Sequence, residues 1–404
     1  MMIGCIVNPY AGGGVYRRGS ESSKEDPDFF ERLLSAVNTL LSGCEVMAPQ
    51  GAMGEDLLNM AGISVSSVIP TRDVSGPERG RGADRKHLLR GSDSVGAAAF
   101  MARSGVEALV VIGGDGTMAD AALGIVLSGC APEKCPILGI GVGTSNVGGL
   151  ISLRLKSLTR RGRIDAIPRT RADISENVPV KSLRDADAFI RVPCKGLVAS
   201  ADGEIIGVAF NDVVMGDTVL ATIDDRKVDV KASSFIRGEL EPATPSCIYG
   251  SNCEVTLIRN ENGGSSITGG SRRSTIVVAS GTQVGQAVVS ILDGRFVGKA
   301  VSGGACLGDL LAMPAAVAVS DRPVVRVNLD MDELYECSPI TTRTASFGEK
   351  DTVRIKGIRH GACVCCDGNP VLEVSENDGG LQVEVTVRSN LVYRLTVLDD
   401  KTRG

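Results

Sequence analysis

Five consecutive residues, Gly113-Gly114-Asp115-Gly116-Thr117, combine the freedom to bring backbone amides against an anion with a carboxylate able to take a proton. They follow the apolar run Ala108–Ile112 and precede a stretch of small residues from Met118 to Leu127. That order predicts strand, glycine turn and helix in direct succession, with the helix N-terminus adding a favourable field for phosphate. Asp115 is the member with chemistry to offer, as acceptor of the proton of an attacking hydroxyl or as a ligand of Mg²⁺. The competing reading is an ordinary turn in which Asp115 caps the helix.

Two more glycine loops leave predicted strands. Met2–Val7 runs into Asn8-Pro9-Tyr10-Ala11-Gly12-Gly13-Gly14, and Ile137–Ile140 runs into Gly141-Val142-Gly143-Thr144-Ser145-Asn146-Val147-Gly148-Gly149. In open α/β sheets ligands sit beyond the carboxyl ends of the strands, where such loops converge. The three loops therefore point to one anionic ligand, with hydroxyl and amide contacts from Thr144, Ser145 and Asn146. A tight strand-to-helix connection is the plainer alternative for the third loop.

Other chemistries find little material. Gly294-Arg295-Phe296-Val297-Gly298-Lys299-Ala300 is one residue short of a phosphate-binding P-loop and ends in Ala. His87 and His360 are the sole histidines, which leaves almost nothing for a His metal cage or a Ser-His-Asp triad. Cys363, Cys365 and Cys366 lack a second pair at zinc spacing and read as ordinary thiols.

The elements that must position these residues alternate in the first part of the chain. Apolar positions in Asp28–Leu41 and Val95–Ser104 have helical spacing, and Val65–Ile69 reads as a buried strand. Arg72–Asp93 reads as a mobile excursion and Asn260–Arg273 as a hairpin loop or local disorder. Beyond Leu150 short apolar stretches with turn residues take over: 189–193, 197–199, 205–215, 253–258, 275–279, 315–319, 324–329, 352–355, 381–387 and 393–398. The expected fold is an α/β N-terminal domain with a parallel sheet over residues 1–150 and a β-rich domain over 151–390. Residues 391–404 would form a C-terminal strand returning to the first domain, followed by a polar tail.

Composition sets the outer limits. The chain has 404 residues, 43 Lys plus Arg against 48 Asp plus Glu, and a net charge of −5, which argues against a nucleic-acid binder. Aromatics are 3% with no Trp, so base-stacking platforms are not expected. Twelve cysteines in a long chain without a signal-like start suggest a reducing, cytoplasmic setting. No apolar run approaches the roughly 20 residues that span a bilayer, so no membrane partner is expected.

Gly113–Thr117 resembles the GGDGT signature of NAD kinases, diacylglycerol and sphingosine kinases and, more distantly, phosphofructokinases. Pro136–Ile151 resembles the NAD-kinase strand and glycine loop, and Ala209-Phe210-Asn211-Asp212-Val213-Val214 resembles that family's A-L-N-[ED]-V-V segment. Val301–Gly304, Ser320–Val325 and Cys366-Asp367-Gly368-Asn369 resemble its later segments. Asn8–Gly14 and Ala48–Asp56 are similar to predicted ATP-NAD kinases common in archaea. The family's T-P-T-G-S-T-A-Y stretch has only Ser280–Gly285 near its place, without the proline or the tyrosine. Thr144-Ser145-Asn146 is similar to the G-T-x-N of diacylglycerol kinases.

The resemblance implies ATP or polyphosphate as donor, Mg²⁺, and NAD as acceptor at its adenosine-ribose 2′-hydroxyl. It places Asp115 as catalytic carboxylate and Asn8, Gly12, Gly13, Gly14, Gly113, Gly114, Gly116, Thr117, Gly143, Thr144, Ser145 and Asn146 around the donor. Asn211, Asp212 and Asp367 fall on the acceptor side. It further implies a dimer or tetramer built on the β-rich half. The alternatives are a kinase of a lipid, polyol or sugar alcohol, and a nucleotide-binding regulator without activity.

Overall fold

Met-Ile-Gly-Cys-Ile-Val at Met2–Val7 (β1) has no polar side chain, as a parallel strand covered on both faces requires. The computed structural model describes residues 1–11, 15, 29–70, 92–142, 148–155, 172–174, 180–223, 226–261, 272–292, 313–325, 339–375 and 380–397. These fall into two compact units. The first takes in Met1–Glu78, Gly91–Cys194 and Asn390–Gly404; the second contains Lys195–Ser389. The first unit thus continues past residue 150.

In the first unit β1 is followed by α1 (Phe29–Leu41), β2 (Glu45–Pro49), α2 (Glu55–Met60) and β3 (Ser67–Ile69). Then come α3 (Ser92–Arg103), β4 (Ala108–Gly113), α4 (Asp115–Ser128), β5 (Ile137–Gly141), β6 (Ile151–Leu155) and β7 (Ala172–Ile174). The sheet order is β7-β6-β5-β4-β1-β2-β3, and every one of these pairings is parallel. The chain moves from β1 outward to β3, then returns to lay β4 on the other side of β1. The switch point, where ligands bind in such sheets, therefore lies between β1 and β4.

Helices cover both faces. Leu33, Val37 and Leu40 of α1 and Leu57 and Leu58 of α2 share a core with Ile3, Cys5, Val110, Ile112 and Ile140. The opposite face carries α3 and α4: a Cβ on Gly4 of β1 would meet Met101 Sδ of α3 at 2.6 Å, and one on Gly139 of β5 would meet Met118 Sδ of α4 at 2.9 Å. Among the described residues no helix is long and apolar enough to cross a membrane.

The second unit is antiparallel. Its strands are β8 (Phe189–Ala201, entering from the first unit), β9 (Glu204–Ala209), β10 (Asp212–Gly216), β11 (Thr218–Ile223) and β12 (Arg226–Lys231). A short helix, α5 (Ala232–Ile236), precedes β13 (Tyr249–Glu261), β14 (Arg272–Ser280), β15 (Gln286–Ile291), β16 (Ala315–Ser320) and β17 (Thr342–Phe347). β18 (Thr352–Ile358), β19 (Cys363–Cys366), β20 (Asn369–Glu373) and β21 (Gln382–Val397) complete it. One sheet has the order β17-β16-β15-β10-β19-β20; another runs β14-β13-β18-β21. Alternate residues of both, among them Val213, Val289, Val317 and Val364 from one and Val255, Leu257, Ile355 and Val385 from the other, fill one core. That period of two is the signature of packed sheets with one face outward.

Several elements differ from expectation. Residues 381–387 and 393–398 were expected as separate strands; residues 382–397 form the single strand β21, whose last part pairs in parallel with β5 at Arg394 and Ile137. The stretch 205–215 breaks into β9 and β10 at Phe210 and Asn211. Val324 and Val325 do not form the expected strand, because the side-chain oxygen of buried Gln286 takes both of their N–H groups at 2.9 Å. β2 and α2 escaped notice through their shortness. Of the excursion expected over 72–93, Ser92 and Asp93 begin α3, and of the loop expected over 260–273 the ends belong to β13 and β14; residues 72–91, 262–271 and 326–329 lie outside the described residues.

Candidate active site

Three parallel strands, β5, β4 and β1, end side by side in the first unit. β1 delivers Asn8, whose N–H donates to the carbonyl of Ile112 on β4 at 2.9 Å. Its side-chain Nδ2 donates to Thr117 Oγ1 at 2.9 Å, and its Oδ1 accepts the N–H of Tyr10 at 3.0 Å. Asn8 thus fastens its own turn to the first turn of α4, which is why an amide suits the end of β1.

β4 ends at Gly113. A Cβ there would lie 2.6 Å from the Thr117 side chain, so the residue must be glycine for the helix to begin where it does. Gly114 is extended at φ −96° and ψ −174°, and α4 starts at Asp115. The first amides of the helix have no intrahelical acceptors and carry its positive end, an arrangement suited to phosphate oxygens.

Asp115 heads that helix. Its Oδ1 accepts the N–H of Gly148 at 2.7 Å, from the loop that leaves β5. A methyl group on Gly148 would lie 2.6 Å from the same oxygen, so glycine is needed for the approach. The N–H of Val142 donates to the Gly113 carbonyl at 3.0 Å, which closes the second side of the turn. Asn8, Gly113, Gly114, Asp115, Gly116 and Thr117 are therefore assembled at one place. Gly12, Gly13, Gly14, Gly143, Thr144, Ser145 and Asn146 lie outside the described residues. Five residues on from Asp115, burial raises the Asp120 carboxyl to about 7.

The second unit assembles the other named residues. Asp367 and Gly368 have φ of 48° and 82°, the left-handed pair that turns β19 into β20. The Asp367 carboxylate accepts N–H groups from Phe210 (2.7 Å), Asn211 (2.8 Å) and Asp212 (3.1 Å). Burial and then the nearby Asp212 push its carboxyl well above the ordinary carboxylate range, against the opposing pull of these amides. Its oxygens face the backbone between β9 and β10 and hold that turn in shape.

Asn211, at the turn, is 9% exposed, and its Oδ1 is buried with no hydrogen-bond partner. A buried amide oxygen without a donor costs free energy on the order of 1–3 kcal/mol, which a ligand N–H or O–H would recover. The cysteine triplet lies on both faces of β19. Cys363 and Cys365 join one apolar cluster and Cys366 another. Burial raises the thiols of Cys363 and Cys365.

Residues 3–149 match the family model of the ATP-NAD kinase N-terminal domain. An uncharacterized protein of Archaeoglobus fulgidus is 30% identical over 387 residues, which are 95% of this chain and 97% of that one. This chain belongs to one family with that archaeal protein, and its residues 3–149 carry the ATP-NAD kinase N-terminal domain. Similar solved structures include a yeast NADH kinase complexed with NADH (13% identical, TM-score 0.45, covering 99% of this chain and 84% of that chain). A diacylglycerol kinase from Bacillus anthracis is another (12% identical, TM-score 0.36, covering 99% and 97%). The matched domain is a kinase domain, which supports a phosphotransferase.

The residues around Asp115 that went unremarked in the sequence are Gly148, as an orienting donor, and Arg394, which donates to the Gly149 carbonyl at 2.8 Å. Gly148 carried a signal, since paired glycines close the third loop. Arg394 carried only the oddity of a charge between apolar neighbours in Leu391-Val392-Tyr393-Arg394-Leu395.

Proposed function

We propose that this chain transfers the terminal phosphoryl group of ATP, or of polyphosphate, to the 2′-hydroxyl of the adenosine ribose of NAD, giving NADP. The observation that carries the reading is the Asp115 carboxylate at the head of α4, at the switch point of a parallel sheet, with one oxygen oriented by Gly148.

The amides of Gly114, Gly116 and Thr117 bind donor phosphates at the positive end of the helix. Asp115 takes the proton of the ribose hydroxyl as its oxygen forms the new bond to phosphorus. The bond from phosphorus to the bridging oxygen breaks, and ADP leaves. Positioning and charge stabilisation supply most of the acceleration in such transfers. Asn211 Oδ1 receives a donor group of the dinucleotide, which satisfies its buried oxygen.

Among the described residues no group of three acidic, His or Cys side chains could hold a metal. A single well-placed carboxylate suits Mg²⁺ carried on nucleotide phosphates, since that ion takes one or two carboxylates and keeps water and phosphate ligands. Asp115 is the residue that would hold it, and when bound it supplies neutralisation of the charge on the transferring group.

The test is a coupled assay of NADP⁺ formation from ATP, Mg²⁺ and NAD⁺, with NADH as second acceptor and polyphosphate as second donor. NADP⁺ formation abolished in Asp115→Ala supports the reading. Absence of NADP⁺ or NADPH while ADP is released on adding a lipid, polyol or sugar alcohol moves the acceptor to that class. Nucleotide binding with no turnover on any acceptor identifies a regulator instead.

A further inference from the structure

β21 ends in the first unit as a neighbour of β5, and three contacts fix it there. Arg394 pairs with Ile137 in the sheet, Ser152 Oγ donates to the Leu395 carbonyl at 2.5 Å, and Arg394 Nη1 donates to the Gly149 carbonyl at 2.8 Å. The last contact joins residues 245 positions apart. It falls one residue beyond Gly148, whose own N–H grips Asp115 Oδ1 at 2.7 Å.

Arg394 is a costly residue to keep in that place. It is 9% exposed, its Nε is buried with no hydrogen-bond partner, and no carboxylate is paired with it among the described residues. An apolar side chain of similar volume would fill the space without desolvating a guanidinium. The bond it does make lands on the loop that aims the Asp115 carboxylate. That approach is tight, for Gly148 has no room even for a methyl group against Asp115 Oδ1.

We propose that Arg394 is a positioning residue for phosphoryl transfer: by holding the Gly149 carbonyl it fixes the Gly148 amide, and through it the orientation of the Asp115 carboxylate. This rests on the reading of Asp115 as the transfer carboxylate. It makes the C-terminal end of the chain part of the apparatus of the N-terminal unit.

The experiment compares Arg394→Met, Arg394→Lys, Gly148→Ala and the double variant Arg394→Met/Gly148→Ala. Hydrogen exchange over residues 148–155, which needs no turnover, should quicken in Arg394→Met while β1 and β4 keep their protection. In the NADP⁺ assay kcat should fall on the order of 10- to 100-fold with the KM for ATP unchanged, the scale of a misplaced reacting group. Arg394→Lys should recover part of that loss. Because both substitutions act on one carboxylate, the double variant should be no slower than the slower single variant.

Unchanged exchange over residues 148–155 would overturn the proposal, as would independent, multiplying losses in the double variant or a change confined to KM. If the wild type forms no NADP⁺, the exchange comparison still decides the role of Arg394, and the failure belongs to the acceptor assignment. Should Arg394→Met not fold, Arg394→Lys carries the same readouts, since it keeps the charge and loses the guanidinium fork.

Discussion

The dipeptide Asp-Gly occurs at the centre of each unit's named site, and the two copies do different work. Asp115-Gly116 opens α4 with ordinary helical backbone, and the amide of Gly148 donates to its carboxylate. Asp367-Gly368 turns a hairpin with both residues at positive φ, and its carboxylate is taken up by three backbone amides. A half-buried carboxylate at the head of a helix faces the sheet edge where ligands bind, whereas one held by three amides of a turn serves the backbone. The residue type is the same, and the surrounding donors decide its use.

That contrast can be broken most forcefully at Asp367. Alanine there would leave three amides without acceptors and place a Cβ residue without a local hydrogen bond at positive φ, for a loss of roughly 3–5 kcal/mol in urea unfolding. Asp367→Asn tolerates the backbone, keeps the acceptor for Asn211 and Asp212, and should lose roughly 1 kcal/mol. Equal losses in the two variants would show that the amides are not what Asp367 serves.

A second carboxylate on α4 sharpens the comparison through pH. Burial raises Asp120 to about 7, against about 3.9 for an unfolded aspartate. The folded state therefore holds the proton more tightly. The contribution to stability is full below about pH 4 and is lost as pH rises through about 7. Asp120→Asn should be more stable than the wild type at pH 8 by roughly 2–4 kcal/mol, with the gap closing toward pH 4. A difference independent of pH would contradict this.

The smallest expected effect on the fold is at Asn211. Asn211→Leu removes a buried oxygen that has no partner, so stability should hold or rise by up to about 1 kcal/mol. The KM for NAD should rise roughly tenfold, the value of one lost hydrogen bond. A large loss of stability with KM unchanged would make Asn211 a structural residue like Asp367.

The site in the first unit was the more legible in sequence because glycine punctuates it. Gly113 must clear Thr117, and the apolar run of β4 stops where the helix starts, so local composition and local geometry coincide. The bond from Asn8 to Thr117 joins residues 109 positions apart and was reachable only by placing three loops at one sheet edge. In the second unit the alternation of Val, Ile and Leu marked strands, but their ends depended on distant partners. Gln286 draws Val324 and Val325 out of strand pairing through its side chain, and no periodicity encodes that. Arg394 is the extreme case, a lone charge whose meaning depends on a loop 245 residues away. Asp367 was placed on the acceptor side by the resemblance of Cys366–Asn369, and no local pattern encodes the three amides it serves across some 155 residues.

Phosphoryl transfer here stands on Asp115, and the most direct test sets its turnover beside its binding. Asp115→Asn keeps the shape and the Gly148 contact but removes the base, so NADP⁺ formation should fall on the order of 10²-fold or more. Its affinity for ATP measured without Mg²⁺ by calorimetry and its melting temperature should match the wild type. Near-normal turnover in Asp115→Asn would contradict the claim that this carboxylate carries the transfer.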